Sequence, residues 1–577
     1  RQASLEARTE GWIAGLRMAS LAAEGWKRDA TRGLSVSIQQ FSGSHRFILD
    51  YLVEEVLDQQ SPIVQEFLLK TSILDRLSGP LCDAVRFGEA ETHGSSAERA
   101  VRFGEAESRG AVPEPVAAAP PEFHDRSPSQ QILEYLENAN LFIVPLDDER
   151  QWYRYHLLFS DLLRKRLRQS SGRLWRTLHR RASEWYEGQA TVAAAIEHAL
   201  DAEDYGRAAG LIEEIVEATF MRSEVVTILR WVERLPEERR HSYPTLCFYH
   251  AWALLMSGRS PEGVERDLLN VFCEQDGDPP GDTMGGRVPA LRAYSLLLQG
   301  DMPRSAVTSA QALEDLPESD QFLRSVMEWI QSLARLFEGG LQDASEELAA
   351  VARKGQELGN PLIAVTALCY QARLQSRQGQ LHRARETLEQ ALVLASDGQG
   401  RRLPIASEPL IGLGELWREW NDFDAAVEHL TEAIELAAHW SEVAALDAYG
   451  PLARIRAAQG DWAGAQAALE AARDLALKSE STEVDDRVVE LQQAHLLAMQ
   501  GDLNGARRWA EKRGLSSEPS ARQLPEEDQG FVDKHLRKYE QGVLARVLVL
   551  EGRIEEALGL MDALLAEARN LARRDLI

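Results

Sequence analysis

The sequence predicts a mainly α-helical protein in which a winged-helix module with a small β-hairpin precedes an α-solenoid, a superhelix of stacked helical hairpins. Three observations predict this architecture. A pattern of turn residues and small residues recurs eight times between Gly258 and Gly552. Upstream of the repeats, two β-rich runs interrupt a series of helical apolar patterns. The composition, with 44% hydrophobic and 27% charged residues, is typical of a soluble globular protein.

The N-terminal part begins with helical patterns. Residues 1 to about 32 predict an amphipathic helix, and apolar residues recur at helical spacing from Phe47 to Val85. Ser61-Pro62 supplies a capping residue and a helix-starting proline between two of these helices. Residues 86–128 then break the pattern and predict an inserted, disordered surface loop.

The predicted insertion has an unusual composition. The octamer Ala84–Glu91 recurs word for word at Ala100–Glu107, and a Pro/Ala-rich tract follows it. Such a duplication beside a proline-rich run favours disorder over a functional element.

A β-hairpin follows the insertion. Gln131–Asn138 predicts a helix, and the runs Leu141–Leu146 and Gln151–Tyr155 flank four polar residues, as in a hairpin. A helix is predicted directly after it, at His156–Arg168. Helices, a hairpin and a further helix together make a winged-helix module.

The repeat defines the solenoid. Each copy has a turn residue, a small residue seven positions before it and another small residue five positions after it. Successive turns lie 39 to 42 residues apart, and the last interval is 51 residues. The turn residues are Gly258, Gly300, Gly339, Gly379, Asn421, Gly460, Gly501 and Gly552. All sixteen flanking residues are Gly, Ala or Ser, which lets the two helices of a hairpin approach closely.

Several function classes are excluded by what the sequence lacks. The net charge of −27 argues against a nucleic-acid-binding bulk surface. The four cysteines include no C-x-x-C pair, so neither a zinc site nor a disulfide framework is indicated. No Gly-Lys dipeptide, H-E-x-x-H or G-x-S-x-G motif occurs. We therefore expect no enzyme activity, cofactor or membrane span in this chain, and a cytoplasmic location.

A set of sequence blocks carries a resemblance to known proteins. The N-terminal blocks are Thr9–Leu16, Phe47–Leu57, Phe67–Asp75, Asn140–Asp147, Tyr153–Leu163 and Leu178–Tyr186. They resemble one family, the large LuxR-type bacterial transcriptional activators related to the maltose activator MalT. The resemblance spans residues 9–200 and extends into the repeats at Glu415–Ala426.

The resemblance implies a domain order. Family members carry a signal-transduction ATPase (STAND) module, a winged helix, a tetratricopeptide-like sensor and a C-terminal LuxR helix-turn-helix. Residues 1–45 would then end the helical region of the ATPase module, 46–170 form the winged helix, and 171–577 the sensor. The abrupt ends indicate a piece of a longer protein rather than a degenerate one. ATP or ADP, DNA binding and self-association on activation are implied only for full-length members.

His156 is the residue that the resemblance connects with nucleotide. It matches the winged-helix histidine that approaches the bound phosphates in related ATPases, where an imidazole donor suits a phosphate oxygen. The alternative is a histidine that caps the helix after the hairpin. Both interpretations remain open from the sequence.

A second candidate site follows the repeats. The residue after each early small position predicts one row along the first helices, and in tetratricopeptide-like arrays such positions line the concave groove. The row reads Trp252, Tyr294, Leu333, Arg373, Glu415, Arg454, His495 and Arg546. Trp252 is more easily explained as core. The charged members are harder to explain by packing, because charges are seldom buried unpaired.

Two functions fit this row. One is an inducer-sensing arm of a transcriptional activator that binds a small polar or anionic molecule in the groove. The other is a protein-interaction scaffold of the same fold with no small-molecule ligand. The sequence does not identify the inducer or the regulatory partner.

Overall fold

The structure is a computed structural model that describes residues 57, 59–88, 128–139, 141, 143–258, 264, 286–338, 341–441, 443–478, 483–516 and 531–574. The predicted helix at 1–32, most of the predicted insertion, Gly263 and the turn at Gly339 lie outside these residues. The chain divides into two compact units, Arg1–Leu211 and Ile212–Ile577. The predicted domain boundaries at 45/46 and 170/171 stay predictions.

The N-terminal unit consists of short helices around one hairpin. Ser61 caps the first helix through its side chain, which accepts a hydrogen bond from the Val64 backbone N–H, and Pro62 begins it. The elements are α1 (Pro62–Thr71), α2 (Gly79–Phe87), α3 (Ser129–Asn138), β1 (Ile143–Pro145), β2 (Tyr153–Tyr155), α4 (Leu157–Ser170), α5 (Gly172–Gly188) and α6 (Val192–Asp201).

The predicted hairpin is confirmed. β1 and β2 pair antiparallel with Val144 opposite Arg154, and Leu77 adds an isolated bridge to Tyr153. Tyr153 and Tyr155 point into the core, where the Tyr155 hydroxyl lies 2.7 Å from the Thr71 hydroxyl. The hairpin is therefore fixed to the helices that precede it.

The two ends of the predicted insertion lie close together. The Ser129 backbone N–H donates to the Asp83 carboxylate at 2.9 Å, and buried Arg86 donates to the Ser129 hydroxyl at 3.0 Å. Because the two ends of the insertion already lie together, a long loop between them adds little to the free-energy cost of folding, since loop-closure entropy grows only slowly with length.

The C-terminal unit is an array of helical hairpins, entered through α7 (Tyr205–Met221), in which the unit boundary falls. Short 3₁₀ segments, Pro404–Ala406 and Val443–Ala445, precede two of its helices. Its further helices are α8 (Val225–Glu233), α9 (Glu237–His241), α10 (Pro244–Met256), α11 (Arg287–Leu298), α12 (Met302–Asp315), α13 (Gln321–Glu338), α14 (Leu341–Glu357), α15 (Pro361–Arg377), α16 (Leu381–Leu394), α17 (Ser407–Glu419), α18 (Phe423–Ala437), α19 (Leu446–Ala458), α20 (Trp462–Lys478), α21 (Glu483–Gln500), α22 (Leu503–Lys512), α23 (Phe531–Leu550) and α24 (Ile554–Arg574).

Seven of the eight predicted turn residues are described, and all seven have positive φ angles between 60° and 88°. Glycine and asparagine tolerate this left-handed conformation, which ends a helix. At Asn421, the next residue's N–H bonds back to the Trp417 carbonyl at 2.9 Å, and the Asp422 side chain caps the following helix. The sequence pattern therefore marks the hairpin turns correctly.

The small residues of the repeat are buried wherever they are described. Examples are Ala293 and Ser305 in one hairpin and Ala453 and Ala465 in another, all at most 2% exposed. The Ser305 hydroxyl donates to the Ala293 carbonyl at 2.7 Å, a contact that requires two closely spaced backbones. These residues lie at the hairpin crossings, as predicted.

Two hydrogen bonds join parts of the array that are far apart in the chain. The Ile405 backbone N–H donates to the buried Ser223 hydroxyl at 2.8 Å, across 182 residues. The Val226 N–H donates to the His439 carbonyl at 3.3 Å. We call these two bonds the closure contact. Through it, the start of α8 meets the segments that flank α17 and α18.

Candidate functional site

His156 stands where β2 leads into α4. It is the N-cap residue of α4, and its carbonyl accepts from the N–H groups of Phe159 and Ser160 at 3.0 Å. Its side chain makes no capping hydrogen bond. The imidazole is therefore not needed to start the helix, and its predicted contact with nucleotide phosphates stays a prediction.

The predicted row, which we call the first-helix row, takes one residue from the first helix of each hairpin. It runs through α10, α11, α13, α15, α17, α19, α21 and α23. At several junctions, row residues of neighbouring hairpins contact each other directly. The row thus begins with aromatic rings and continues as a chain of charges.

The aromatic end of the row is mostly core. Trp252 is 1% exposed and packs among Phe220, Phe248 and Phe322, so its ring is not available to a ligand in this conformation. Its centroid lies 5.3 Å from that of half-buried Tyr294. Leu333 is buried as well. The interpretation of Trp252 as a groove residue is therefore corrected to a core residue.

Arg373 is the first charged member of the row and lies at a junction of three helices. Its guanidinium is 3.5 Å from Glu408 of α17 and 4.0 Å from Asp447 of α19, and its central carbon lies 5.2 Å from the Tyr370 ring centroid. Burial raises the pKa of Glu408, which Arg373 opposes. The Arg373 side chain is still 46% exposed, so a solute can reach it.

Glu415 and Arg454 form the middle of the row. The Arg454 guanidinium donates to Glu415 at 2.7 Å and to the Gln492 side chain at 3.4 Å. Arg418, one turn further along α17, donates to the other Glu415 oxygen at 2.9 Å. The Glu415 carboxylate is thus shared between two guanidiniums, and Arg418 also contacts Glu419, so the charges of this network balance.

His495 continues the chain to the last hairpin. Its Nε2 accepts from the Arg546 guanidinium at 3.1 Å, because arginine only donates. Burial and the guanidiniums of Arg546, Arg454 and Arg418 lower the pKa of His495 to about 4. The imidazole is therefore neutral at pH 7, and its second nitrogen carries the proton.

Several residues of this cluster were not predicted from the sequence. Glu408 and Asp447 stand seven positions before row residues, and Tyr370 and Gln492 stand three positions before them. Spacings of three and seven keep a residue on the same helix face. Extending the row along each helix by this rule would have found all four.

The cluster suits recognition by charge and hydrogen bonding rather than metal chemistry. Within the described ranges, no group of three or more His, Cys, Asp or Glu side chains could hold a metal ion. In the same parts of the chain, no helix is long and apolar enough to cross a membrane. Accessible guanidiniums beside carboxylates can exchange an internal ion pair for a polar ligand.

Comparison with known proteins agrees with both units. Residues 286–577 match the family described as the MalT-like TPR region, and residues 53–100 and 121–175 match the MalT winged helix domain. The gap in the second match falls inside the predicted insertion.

Curated relatives cover nearly the whole chain. The HTH-type transcriptional regulator MalT of Yersinia pestis (strain Pestoides F) is 25% identical over 566 residues, which cover 97% of this chain and 56% of the relative. That of Serratia proteamaculans (strain 568) is 26% identical over 579 residues, with the same coverage. The chain therefore spans about half the length of the curated relatives it matches.

Solved structures are more distantly similar. A STAND protein with a tetratricopeptide repeat sensor from Pyrococcus horikoshii has 12% sequence identity and a TM-score of 0.39, with 90% of this chain and 67% of that chain covered. The APC/C hetero-tetramer Cut9–Hcn1 has the same identity and TM-score, with 78% and 90% covered.

The match to the repeat region extends over half of the chain and includes most of the repeats whose turns and crossings the structure displays. The winged-helix match coincides with the helices and hairpin of the N-terminal unit. The chain belongs to the family of MalT-like transcriptional regulators and carries their winged helix domain and TPR region.

Proposed function

We propose that this chain is the effector-sensing and signal-transducing part of a MalT-like regulator, and that the charged first-helix row binds a small polar or anionic effector. The observation that carries the proposal is the direct contact of row residues from successive hairpins in two pairs, Glu415 with Arg454 and His495 with Arg546. A ligand that binds one side chain of such a pair therefore changes the contacts of its partner on the neighbouring hairpin.

Two partly exposed guanidiniums of the row suit an anionic or hydroxyl-rich effector. Arg454 is 28% exposed and Arg373 46% exposed, while Glu415 already has two cationic partners. A carboxylate or phosphate on the ligand would bind the guanidiniums in place of Glu415 or Glu408. Neutral His495 adds an N–H donor without further charge.

Binding in the row would act on the regulator by shifting its conformational equilibrium. A ligand that bridges several first helices stabilises the packing in which those helices have the required spacing. In the longer regulator this shift would bias the ATPase module, and His156 of the winged helix would contact the phosphates of its bound ATP or ADP. DNA binding and activation-linked self-association would belong to that longer protein.

Ligand-dependent stabilisation tests the proposal. A metabolite library is screened by thermal shift, and hits are measured by calorimetry on the 577-residue chain. An effector bound at a hundred times its Kd stabilises the chain by about 2.7 kcal/mol. No hit among anionic and hydroxyl-rich metabolites would favour the second function, a protein-interaction scaffold.

Two charge reversals locate the site. Arg454→Glu and Arg373→Glu should each abolish binding of the hit while the circular dichroism spectrum stays that of the wild type. The matched control is Arg473→Glu, which places the same change on the exposed side of α20 in the same hairpin as Arg454. If Arg454→Glu and the control bind the ligand equally well, the row is not the binding site.

A further inference from the structure

The closure contact belongs to a junction of three chain segments. The first is the start of α8, with Ser223 just before the helix and Val226 in its first turn. The other two segments carry Ile405 and His439, whose backbone groups bond to the first. Ser223 and Ile405 are fully buried, so the bond between them is made away from water. Both hydrogen bonds therefore depend on the positions of the two later segments.

The two later segments are also bonded to each other. The Trp440 indole N–H donates to the Ser407 hydroxyl at 2.9 Å, and both side chains are buried. Ser407 begins α17 directly after the 3₁₀ segment Pro404–Ala406, and Trp440 follows His439. Hydrogen bonds thus join each pair of the three segments, so a displacement of the α17 start changes the contacts of the other two.

The start of α17 also reaches the first-helix row. Glu408 stands in the first turn of α17, and its carboxylate lies 3.5 Å from the Arg373 guanidinium of α15. Three positions before Glu408 is Ile405, which donates the closure bond to Ser223. We call residues 405–408 the linking segment. This short run of chain carries both a closure hydrogen bond and the carboxylate partner of Arg373.

Glu408 depends on Arg373 for charge compensation. Its side chain is only 17% exposed, and burial is the main cause that raises its pKa. The nearby Asp447 carboxylate raises the pKa further, and Arg373 opposes both effects. An anion that binds the accessible Arg373 guanidinium leaves Glu408 buried without its cation, which is destabilising. Movement of this carboxylate towards water relieves the penalty and displaces the α17 start.

We propose that the closure contact responds to the occupancy of Arg373: it is formed while Arg373 pairs with Glu408, and it opens when an anionic effector binds Arg373 in place of that carboxylate. The linking segment carries the change from the row to the start of α8. This inference rests on the proposed effector site and adds its regulation. Because coupling between two sites is reciprocal, loss of the closure contact raises the affinity of Arg373 for an anion.

Hydrogen exchange of the effector-free chain tests the coupling. The Ile405 and Val226 amides are the donors of the closure contact and lie at helix starts, where an amide has no acceptor in its own helix. Arg373→Gln should speed exchange of both amides by roughly three- to tenfold, the scale of one lost hydrogen bond. The matched control is Arg377→Gln, at an exposed position of the same helix, which should leave both rates unchanged.

A second substitution separates this electrostatic mechanism from general damage to the fold. Glu408→Gln, added to Arg373→Gln, removes the carboxylate that lost its cation. The double variant should therefore return both amides to nearly the wild-type rate, a non-additive effect expected of residues in direct contact. Damage to packing would instead make the double variant exchange faster than Arg373→Gln alone.

Inorganic phosphate tests the effect of an anion, with chloride at equal ionic strength as its control. Phosphate should speed exchange of the Val226 amide in the wild type and have no effect in Arg373→Gln. Ser223→Ala, which removes the closure bond to Ile405, should bind phosphate roughly threefold more tightly in calorimetry. Ser257→Ala should bind it like the wild type, since the Ser257 hydroxyl donates to the Leu254 carbonyl in its own hairpin.

The outcomes distinguish failure of this inference from failure of the proposed effector site. Wild-type exchange of Val226 in Arg373→Gln, or a double variant that exchanges faster than Arg373→Gln, overturns the coupling. Phosphate that binds at Arg373 and leaves Val226 unchanged overturns it as well. If Arg373→Gln opens the closure contact but phosphate does not bind, the coupling is confirmed and the anionic effector site is wrong.

Discussion

Substitution of Gly414 by alanine tests the close approach of helices within a hairpin. Gly414 is a predicted crossing residue of α17, and a Cβ atom there would lie 2.6 Å from Leu430 Cγ and 2.8 Å from Leu430 Cδ2. The Ala426 carbonyl oxygen would be 3.4 Å away. Because Cγ is the branch point of the leucine, a rotation of its methyl groups does not remove the clash.

The net cost follows from two opposing effects. Alanine in a helix interior is about 1 kcal/mol more favourable than glycine. Overpacking a well-filled core costs roughly 1–3 kcal/mol. Because Leu430 Cγ cannot move away, the overpacking cost lies towards the upper end of its range. After subtraction of the helix preference of alanine, we expect Gly414→Ala to destabilise the α17–α18 hairpin by about 1–2 kcal/mol.

Hydrogen exchange measures this cost locally. A loss of one to two kcal/mol should speed exchange of the protected amides of α17 and α18 by roughly 5–30-fold. The matched control is Gly542→Ala in α23, where a Cβ atom would meet nothing within 4 Å. There the helix preference of alanine acts alone and exchange should slow. If both substitutions slow exchange, Gly414 does not lie at a close crossing.

Three further predictions follow from single sites. Ala465→Leu, at a fully buried crossing, should lower the free energy of unfolding by roughly 1–3 kcal/mol in urea titration, whereas Ala463→Leu on the exposed side should be near neutral. Gly460→Ala should cost about 1–2 kcal/mol through backbone conformation alone, since φ is 82° and nothing lies near its Cβ position; an unchanged urea midpoint would contradict this. Burial lowers the pKa of His198 from 6.5 to about 4, so the stability it contributes is complete above pH 6.5 and is lost as pH falls towards 4. His198→Gln should therefore reduce the loss of unfolding free energy between pH 6.5 and 4 by up to about 3 kcal/mol, seen as a smaller acid-induced fall in melting temperature. The matched control His439→Gln, at an exposed position, should leave that fall unchanged.

Local backbone requirements explain why so much of the solenoid was predictable. A left-handed turn residue selects Gly or Asn, as at Gly460 and Asn421, and a close crossing selects a small residue, as at Ala465. Both requirements restrict the residue type at fixed spacings from each turn, so they can be recognised in the sequence. The hairpin around β1 and β2 was predictable for a similar reason, because β-rich runs flank a short polar turn.

The candidate site was predicted less completely. Taking one residue from each helix identified Arg373 and Arg454 but missed Glu408 and Asp447, which are their neighbours in space or on the same helix face. Trp252 was placed in the row by spacing, although its packing partners make it core. Spacing fixes the helix and the face, while burial depends on the side chains that neighbouring hairpins supply.

The closure contact has a consequence for how the array unfolds. An open array of repeats can lose its hairpins one by one from an end, because each one touches only its neighbours. The bond between Ser223 and Ile405 makes the stability of the early hairpins depend on segments 182 residues away. Small rotations at the intervening junctions also accumulate into a displacement between the two ends of the closure contact, which its two hydrogen bonds must accommodate or break. A change in superhelical twist between these hairpins is therefore coupled to the closure contact.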